Sequence, residues 1–382
     1  MAAEEKPGVP SFLNEFVSPW YESLADPAAS QESALASLLQ GYAKTEYGRR
    51  LGADPAGGMS DYRRRFPIVR YADLAPVLER VKTGDYLALL PEPVSRWVMT
   101  RGTTGRPKLV PATETHLSLI LSLGARAIIN FALKRDAGIL EMNVLNLNFP
   151  SEVAAMVTDK GREGYGYSSG TYAKLNPSLG PTALVPAQEE IDELGGGIGK
   201  ADWDRRFELV YQHAKDRPVG SVMGVTPVIE SFARYVMSRH GVRPGDLWRM
   251  RGLFCTSVAK IQTEYAPVLR HEYGKGAAVV EMYTATEGVF AQQLDEHPYV
   301  SPNYDAFVFE VVTSRGDVKL LHEMRRGEWG RLVVSGPLFP RYDIGDMVEA
   351  AGKDYFRVFG RAGRRTVLEH LLFEVLTGSF RF

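Results

Sequence analysis

The chain has 382 residues, 45% of them hydrophobic and 24% charged, with a formal charge of −1. This is the composition of a globular protein with one large or two unequal domains, and it offers no electrostatic case for nucleic acid or an anionic membrane as partner. A single cysteine, Cys255, excludes an internal disulfide framework and a cysteine-based zinc site. The first residues, MAAEEKPGVPSF, are acidic and prolyl, unlike a signal peptide, and no run of about 18 apolar residues stands out. The expectation is a cytoplasmic protein without a membrane span.

Residues from about Ser11 to Arg50 read as helix, because Phe12, Phe16, Trp20, Leu24, Ala34, Leu35, Leu38, Leu39 and Tyr42 recur at helical spacing. In Phe66–Asp85, Pro67 marks an extended entry and Asp73 a helix cap. Leu74, Val77, Leu78 and Val81 form an apolar face ending at Gly84. Ser95–Met99 reads as a strand and runs into Thr100–Pro111, TRGTTGRPKLVP, with two glycines, three threonines and three basic residues. Gly102 and Gly105 permit a sharp turn and close approach of backbone to ligand. Thr103 and Thr104 add hydroxyls, successive N–H groups form an anion-binding nest, and Lys108 brings a point charge. The plain alternative is a Gly-Thr turn between strands with solvated basic residues. Walker spacing is not met, since Arg-Pro-Lys follows Gly105.

Glu114–Leu133 is a helix of small and aliphatic residues, with His116 near its start as a capping or packing residue or a base. LNLNF, within Gly138–Ser151, alternates like a strand. Gly161–Ser178 is rich in Gly, Ser and Tyr, and is either a surface loop or the lining of an acyl pocket. Asp202–Asp216 is helical, with Trp203, Phe207, Val210 and Tyr211 on one face. Val219–Met237 reads as strand, turn at Gly224–Pro227, and helix. Leu253–Cys255 ends a strand with Thr256 and Ser257 at its carboxyl end, a helix covers Ala259–Tyr273, and AAVVEMY is a third strand. Strand–helix–strand at this spacing predicts a parallel sheet with helical crossovers.

Met282–Gly288, MYTATEG, is by itself a strand end and helix cap; beside a phosphate loop its residues take roles. Tyr283 offers a ring face to a purine, Thr286 a hydroxyl to a phosphate oxygen, and Glu287 a carboxylate to magnesium. Further on, FVFEVV and VKLL alternate like strands, and GEWGRLVVSGP reads as a strand pair hinged on glycines. RYDIGDMVEA, Arg341–Ala350, offers a carboxylate at Asp346 for two adjacent hydroxyls, or else a simple β-turn Asp-Ile-Gly-Asp.

These segments together resemble the adenylate-forming superfamily. Thr100–Lys108 is similar to its phosphate loop, S/T-S-G-T-T-G-x-P-K, with Arg101 where Ser is usual. MYTATEG is similar to Y-G-x-T-E, with Thr284 where Gly is typical, and Arg341–Asp346 to Y-R-x-G-D. Arg361 matches the arginine of G-R-x-x-D, whereas Arg364 stands where a hinge aspartate is common. The order from Phe66 to the loop (extended P-V/I segment, Y-x-D-L helix, Gly-Asp) resembles the plant acyl-acid amido synthetases that conjugate jasmonate or auxin, with their bacterial relatives.

The resemblance implies an α/β fold of mostly parallel sheets flanked by helices with a smaller β-rich section. Residues 1–360 would be the large N-terminal lobe and 361–382 a hinge remnant and tail. It implies ATP and Mg2+, a small carboxylic acid and an amine acceptor. Thr100, Gly102, Thr103, Thr104, Gly105 and Lys108 would hold the β- and γ-phosphates, with Arg101 as a second cation. Thr256 and Ser257 would border adenine and Tyr283 stack on it. Thr286 would meet the α-phosphate, Glu287 the metal, and Asp346 with Arg361 the ribose. Tyr165, Tyr167, Tyr172 and Phe149 point to an aromatic or medium-sized apolar acid.

Such enzymes carry a further C-terminal domain of on the order of a hundred residues that supplies a lysine. Only about twenty residues follow Arg361, none of them lysine. The expectation is that this domain is absent, or comes from a protein partner. The other readings are a non-catalytic lobe that binds nucleotide or acyl-adenylate, and an acyl-CoA or carrier-protein ligase.

Overall fold

The computed structural model describes residues 11–101, 107–176 and 183–377. The chain divides into two compact units. One holds Val94–Pro298 with the segment ending at Ser18; the other holds Pro19–Pro93 and the chain from Tyr299 onward.

The strands of the first unit are β1 (Val94–Met99), β2 (Leu109–Thr113), β3 (Asn143–Leu145), β4 (Ala154–Thr158) and β5 (Gly161–Tyr167). They continue with β6 (Leu184–Val185), β7 (Val219–Val225), β8 (Gly252–Thr256), β9 (Ala278–Ala285) and β10 (Gly288–Gln292). One sheet has the order β2-β1-β5-β4; the other runs β10-β9-β8-β7-β3-β6 within this unit. From β6 to β9 all neighbours are parallel, as the strand–helix–strand spacing predicts. The cause is legible in β8, buried at every position, because a strand covered on both faces is a continuous apolar run. Helix Thr226–His240 begins with Pro227 in its first turn and stops at Gly241, whose φ of +69° only glycine adopts freely. Val222, Ile229, Phe232, Leu253 and Leu269 belong to the core these elements enclose.

Helix Glu114–Lys134 is, among the described residues, the one helix long and apolar enough to cross a membrane. It behaves as a core helix here. Leu117, Ile120, Leu123 and Ala127 are buried, and so are His116, Arg126 and Asn130, each of which makes at least one side-chain hydrogen bond within the protein.

Several local expectations change. Ser11–Arg50 is a short 3-10 turn followed by helices Asn14–Ala25, Pro27–Tyr42 and Glu46–Arg50. Asp26 and Thr45 interrupt the run because their side chains cap the next helix, accepting from Ala29 N and Gly48 N. Asp73 is not the cap of helix Tyr71–Lys82 but its third residue, reaching back to the Arg70 N–H at 2.8 Å. LNLNF contributes only Leu145 to a strand. Gly161–Ser178 is not a loop: it supplies β5 and helix Ser168–Leu175, and its last two residues lie outside the described ones. The crossover after β8 starts as a π-helical turn, Ile261–Tyr265, before Ala266–Tyr273. MYTATEG leads into β10 rather than into a helix. GEWGRLVVSGP forms one strand, Trp329–Ser335, rather than a pair.

The second unit carries the β-rich section. Its sheet is antiparallel, in the order Val318–Leu320, Val308–Thr313, Trp329–Ser335, Tyr342–Ala350, Phe356–Arg361. Leu35, Leu39, Tyr42, Tyr62, Phe66 and Val308 form one core cluster of this unit. Glu310 is fully buried there and accepts from Arg341 through both carboxylate oxygens, at 2.8 and 3.0 Å, and from Arg63 at 2.8 Å. Arg341 also donates to the Phe66 carbonyl at 2.7 Å. Removing one partner of such a buried pair strands a charge without solvent. Glu310→Ala is expected to destabilise this unit by about 3–5 kcal/mol, read as a lower urea midpoint; an unchanged midpoint would show that the pair adds nothing.

Candidate functional site

The glycine-rich loop hangs between β1 and β2, an antiparallel pair that ends at Met99↔Leu109. Its neck is closed twice by the same two residues. Thr100 N donates to the Lys108 carbonyl at 2.9 Å, and Lys108 N donates to Thr100 Oγ1 at 2.9 Å. Thr100 and Lys108 are therefore tied at the backbone where the loop leaves the sheet. Gly102, Thr103, Thr104 and Gly105 lie outside the described residues.

Arg101 turns toward the end of β8. Its guanidinium donates to the Ser257 carbonyl at 3.3 Å and lies 5.9 Å from the Phe149 ring centre, and burial lowers its pKa. Ser257 itself has φ +79°, a left-handed conformation that a residue with a Cβ adopts only under constraint. Strain of this kind gathers where a strand end is shaped for a ligand. Thr256 is tied on both sides: its carbonyl accepts from Thr226 Oγ1 at 2.8 Å, and its hydroxyl meets that of Thr284 at 2.5 Å. Thr284, where the resemblance leads one to expect glycine, thus bridges the ends of β8 and β9.

Beyond Thr284 the chain reverses. Ala285 pairs with Gly288, so Thr286 and Glu287 are the two residues of a β-hairpin turn between β9 and β10. Tyr283 is buried and packs on Phe290, ring centres 5.6 Å apart, which occupies part of its ring surface with protein. Sequence reasoning missed the partners of Thr286. Its carbonyl accepts from the Tyr172 hydroxyl at 2.9 Å and faces His116 Nε2 at 3.2 Å. Burial, and then the charge of Glu287, raise the Tyr172 pKa and keep it a phenol. Thr113, not His116, is the helix cap; the His116 backbone N–H donates to its hydroxyl at 3.3 Å. Phe149 and Tyr167 are both buried and pack on each other, with Trp203 against Phe149 at 4.9 Å, so these two residues belong to the core.

The donor chemistry fits a hard cation carried on phosphates. Among the described residues no group of three or more His, Cys, Asp or Glu side chains converges. A magnesium ion usually takes one or two carboxylates and completes its shell with phosphate oxygens and water, a task that Glu287 at a turn apex suits.

Asp346 and Arg361 lie in the second unit. They face each other across adjacent antiparallel strands, with Arg361 Nη1 donating to Asp346 Oδ1 at 2.9 Å. The stretch is not the β-turn that Asp-Ile-Gly-Asp would allow. It lies inside strand Tyr342–Ala350, bent at Gly345, whose φ is +83° and where a Cβ would come within 3.1 Å of Arg361 Nη2.

Residues 20–184 match the profile of the GH3 family N-terminal domain. Over that stretch, less than half of its length, the chain is similar to this domain. Among curated relatives, a probable indole-3-acetic acid-amido synthetase, GH3.13 of Oryza sativa subsp. japonica, is 36% identical over 100 residues, 24% of this chain and 21% of that protein. The chain's match thus spans about a fifth of that relative's length. A putative indole-3-acetic acid-amido synthetase, GH3.10 of the same organism, is 24% identical over 374 residues, covering 85% of this chain and 75% of that protein. In fold, the chain resembles the GH3.15 acyl acid amido synthetase in complex with 2,4-DB, with a TM-score of 0.74 at 16% identity, over 95% of this chain and 72% of that one. It also resembles a 2-hydroxyisobutyryl-CoA ligase, with a TM-score of 0.60 at 16% identity, over 86% and 73% of the two chains. Both likenesses are of fold.

One further carboxyl stands near this edge. Glu281, on β9, has its pKa pushed up by burial from 4.5 to about 7. Its folded form holds a proton that the unfolded chain releases at lower pH, so stability falls as pH rises from about 4.5 to about 7. Glu281→Gln removes this dependence. The variant is expected to melt above the parent at pH 8 and to lose that advantage toward pH 5; identical profiles would place the carboxyl in solvent.

Proposed function

We propose that the protein activates a carboxylic acid with ATP and passes the acyl group to an amine. The observation that carries this reading is a continuous hydrogen-bonded edge within one unit. The pinned neck at Thr100 and Lys108 leads through Arg101 to the strained Ser257, and Thr256 leads through Thr284 to the turn at Thr286 and Glu287. In open α/β sheets this carboxyl edge is where ligands bind.

A carboxylate is a poor acyl donor because its oxygen is a bad leaving group. Attack of that oxygen on the α-phosphorus breaks the bond to the β-phosphate, releases pyrophosphate and leaves an acyl-adenylate. An amine nitrogen then attacks the acyl carbon, AMP departs with the bond electrons, and the nitrogen loses a proton. Charge gathers on phosphate oxygens in the first step, so the protein's task is to place the groups and stabilise that charge.

In this reading the N–H groups of Gly102–Gly105 and the Lys108 ammonium meet the β- and γ-phosphates. Arg101, held by Ser257, adds positive potential from the adenine side rather than from within the loop. Thr256 and Ser257 border the base, Tyr283 offers its remaining ring surface, and Thr286 meets the α-phosphate. Glu287 would hold Mg2+, which neutralises phosphate charge when bound. For the second unit we propose that Asp346, oriented by Arg361, accepts from the two ribose hydroxyls. The acceptor is proposed to be an amine because the GH3 relatives are named amido synthetases; a thiol such as that of coenzyme A is the second reading, favoured by the likeness in fold to a CoA ligase.

Mass spectrometry of the protein with ATP, Mg2+ and a panel of carboxylic acids tests the first step, and adding amino acids or coenzyme A tests the second. Acyl-AMP with one acid supports the reading; nucleotide binding without product would favour a non-catalytic lobe. Lys108→Ala is expected to slow pyrophosphate release by on the order of 10²-fold without lowering the melting temperature. Equal release in that variant would sink the assignment. Asp346→Ala is expected to raise the ATP requirement about tenfold and leave that for the acid alone, whereas equal effects would make Asp346 structural.

A further inference from the structure

The turn proposed to carry the metal ligand has an unusual build. A two-residue hairpin loop normally uses a type I′ or II′ turn, with at least one residue at positive φ, because that twist matches the flanking strands. Neither Thr286 nor Glu287 has a positive φ. The pairing of β9 and β10 is irregular a few residues on, between Val289 and Ala291. Local backbone preference therefore does not hold this turn in place, and something else must.

The Thr286 carbonyl is where the rest of the unit takes hold of it. Tyr172 Oη donates at 2.9 Å, and His116 Nε2 lies at 3.2 Å in the same oxygen's reach; the two donors are 3.4 Å apart. A carbonyl oxygen has two lone pairs and accepts from both. His116 is fully buried, so this contact is made out of water, where a hydrogen bond is stronger and an unmade one costlier.

The two donors come from separate helices with a common base. His116 lies in the first turn of Glu114–Lys134, which leaves β2, and Tyr172 in Ser168–Leu175, which leaves β5. In the sheet order β2-β1-β5 those two strands flank β1, the strand that feeds the glycine-rich loop. Val98, Ala112 and Leu117 pack together there, with Tyr172 against them.

We propose that His116 and Tyr172 are positioning residues: a two-donor clamp on the Thr286 carbonyl that sets the Glu287 carboxylate for magnesium relative to the phosphate loop. The clamp rests on the proposed function for its purpose, and on the hydrogen bonds alone for its existence. It also couples the Tyr-rich segment to the metal side of the site, because helix Ser168–Leu175 cannot shift without releasing one donor.

The test uses Tyr172→Phe, which keeps the ring, His116→Ala, and His116→Gln, which keeps an N–H donor. Amide hydrogen exchange of segment 284–290 is measured without metal, and ATP binding is titrated against Mg2+ by calorimetry. Tyr172→Phe and His116→Ala are expected to speed exchange about 3- to 10-fold and to need about 3- to 10-fold more Mg2+ for half-maximal ATP binding. His116→Gln should lie closer to the parent on both. Because Thr286 itself meets the α-phosphate, metal-free ATP binding should weaken too, but by less than the Mg2+ requirement rises. Parental exchange and parental Mg2+ dependence in Tyr172→Phe would overturn the clamp, even if His116→Ala failed to fold. Faster exchange with an unchanged Mg2+ dependence would also overturn it as a positioning device. A parent protein that binds no ATP at any Mg2+ concentration would overturn the proposed function, while the exchange data would still decide whether the turn is clamped.

Discussion

The register of three parallel strands is the constraint on which the first unit depends. Gly224, Cys255 and Glu281 lie side by side across β7, β8 and β9, so β7 and β8 end together while β9 runs on past them to Ala285. Thr226, Thr256 and Thr284 then stand in a row along that edge. The hydroxyl of the first caps the carbonyl of the second, and the hydroxyl of the second meets that of the third. A slip of one residue would turn every side chain of a strand to the other face and break this row. Everything proposed for nucleotide binding in this unit hangs from that line of threonines or from the β1–β2 hairpin beside it.

Polar groups in this region are satisfied by contacts between segments far apart in sequence rather than by local turns. Arg101 reaches Ser257, His116 and Tyr172 reach Thr286, and Asn130 reaches the Leu294 carbonyl. His116 and Asn130 are buried and Arg101 and Tyr172 half-buried, so the loss of one of these donors would leave a carbonyl at least partly desolvated, and each fixes geometry more than it adds stability. Such fixing is what charge stabilisation on a phosphate requires, since dipoles already in place need no reorganisation during the reaction. In the second unit the contacts between distant segments include ion pairs. Glu310 and Asp343 each draw two arginines into the antiparallel sheet, and Asp346 is held by Arg361 one strand away.

Much of the fold was legible in the residues. Helix Glu114–Lys134 and the alternation β7, helix, β8, helix, β9 follow from apolar periodicity and from Gly, Pro and Thr at the boundaries, and they formed nearly where the pattern places them. Boundaries set by one capping side chain were less legible, as at Asp26, Thr45 and Asp73, because the cap competes with an otherwise continuous helical pattern. The segment Gly161–Ser178 misled for another reason. Its glycines are needed where other backbone comes close: a Cβ at Gly166 would meet the Ser151 carbonyl at 2.2 Å, and one at Gly170 the Phe149 carbonyl at 2.0 Å. Glycine chosen for packing looks, in sequence, like glycine chosen for a loop.

By itself the sequence determined the fold class and named the residue types that suit phosphate, metal and ribose, since Gly-Thr loops, Thr-Glu turns and lone aspartates carry their chemistry locally. Only the tertiary structure decided which of these are tied together. It placed Arg101 at Ser257 rather than free in the loop, packed Phe149 and Tyr167 into the core, and made the Thr-Glu element a hairpin turn held by His116 and Tyr172. The reason is distance along the chain. A contact between residues 170 positions apart, as for His116 and Thr286, leaves no trace in local propensity and exists only once the sheets have closed.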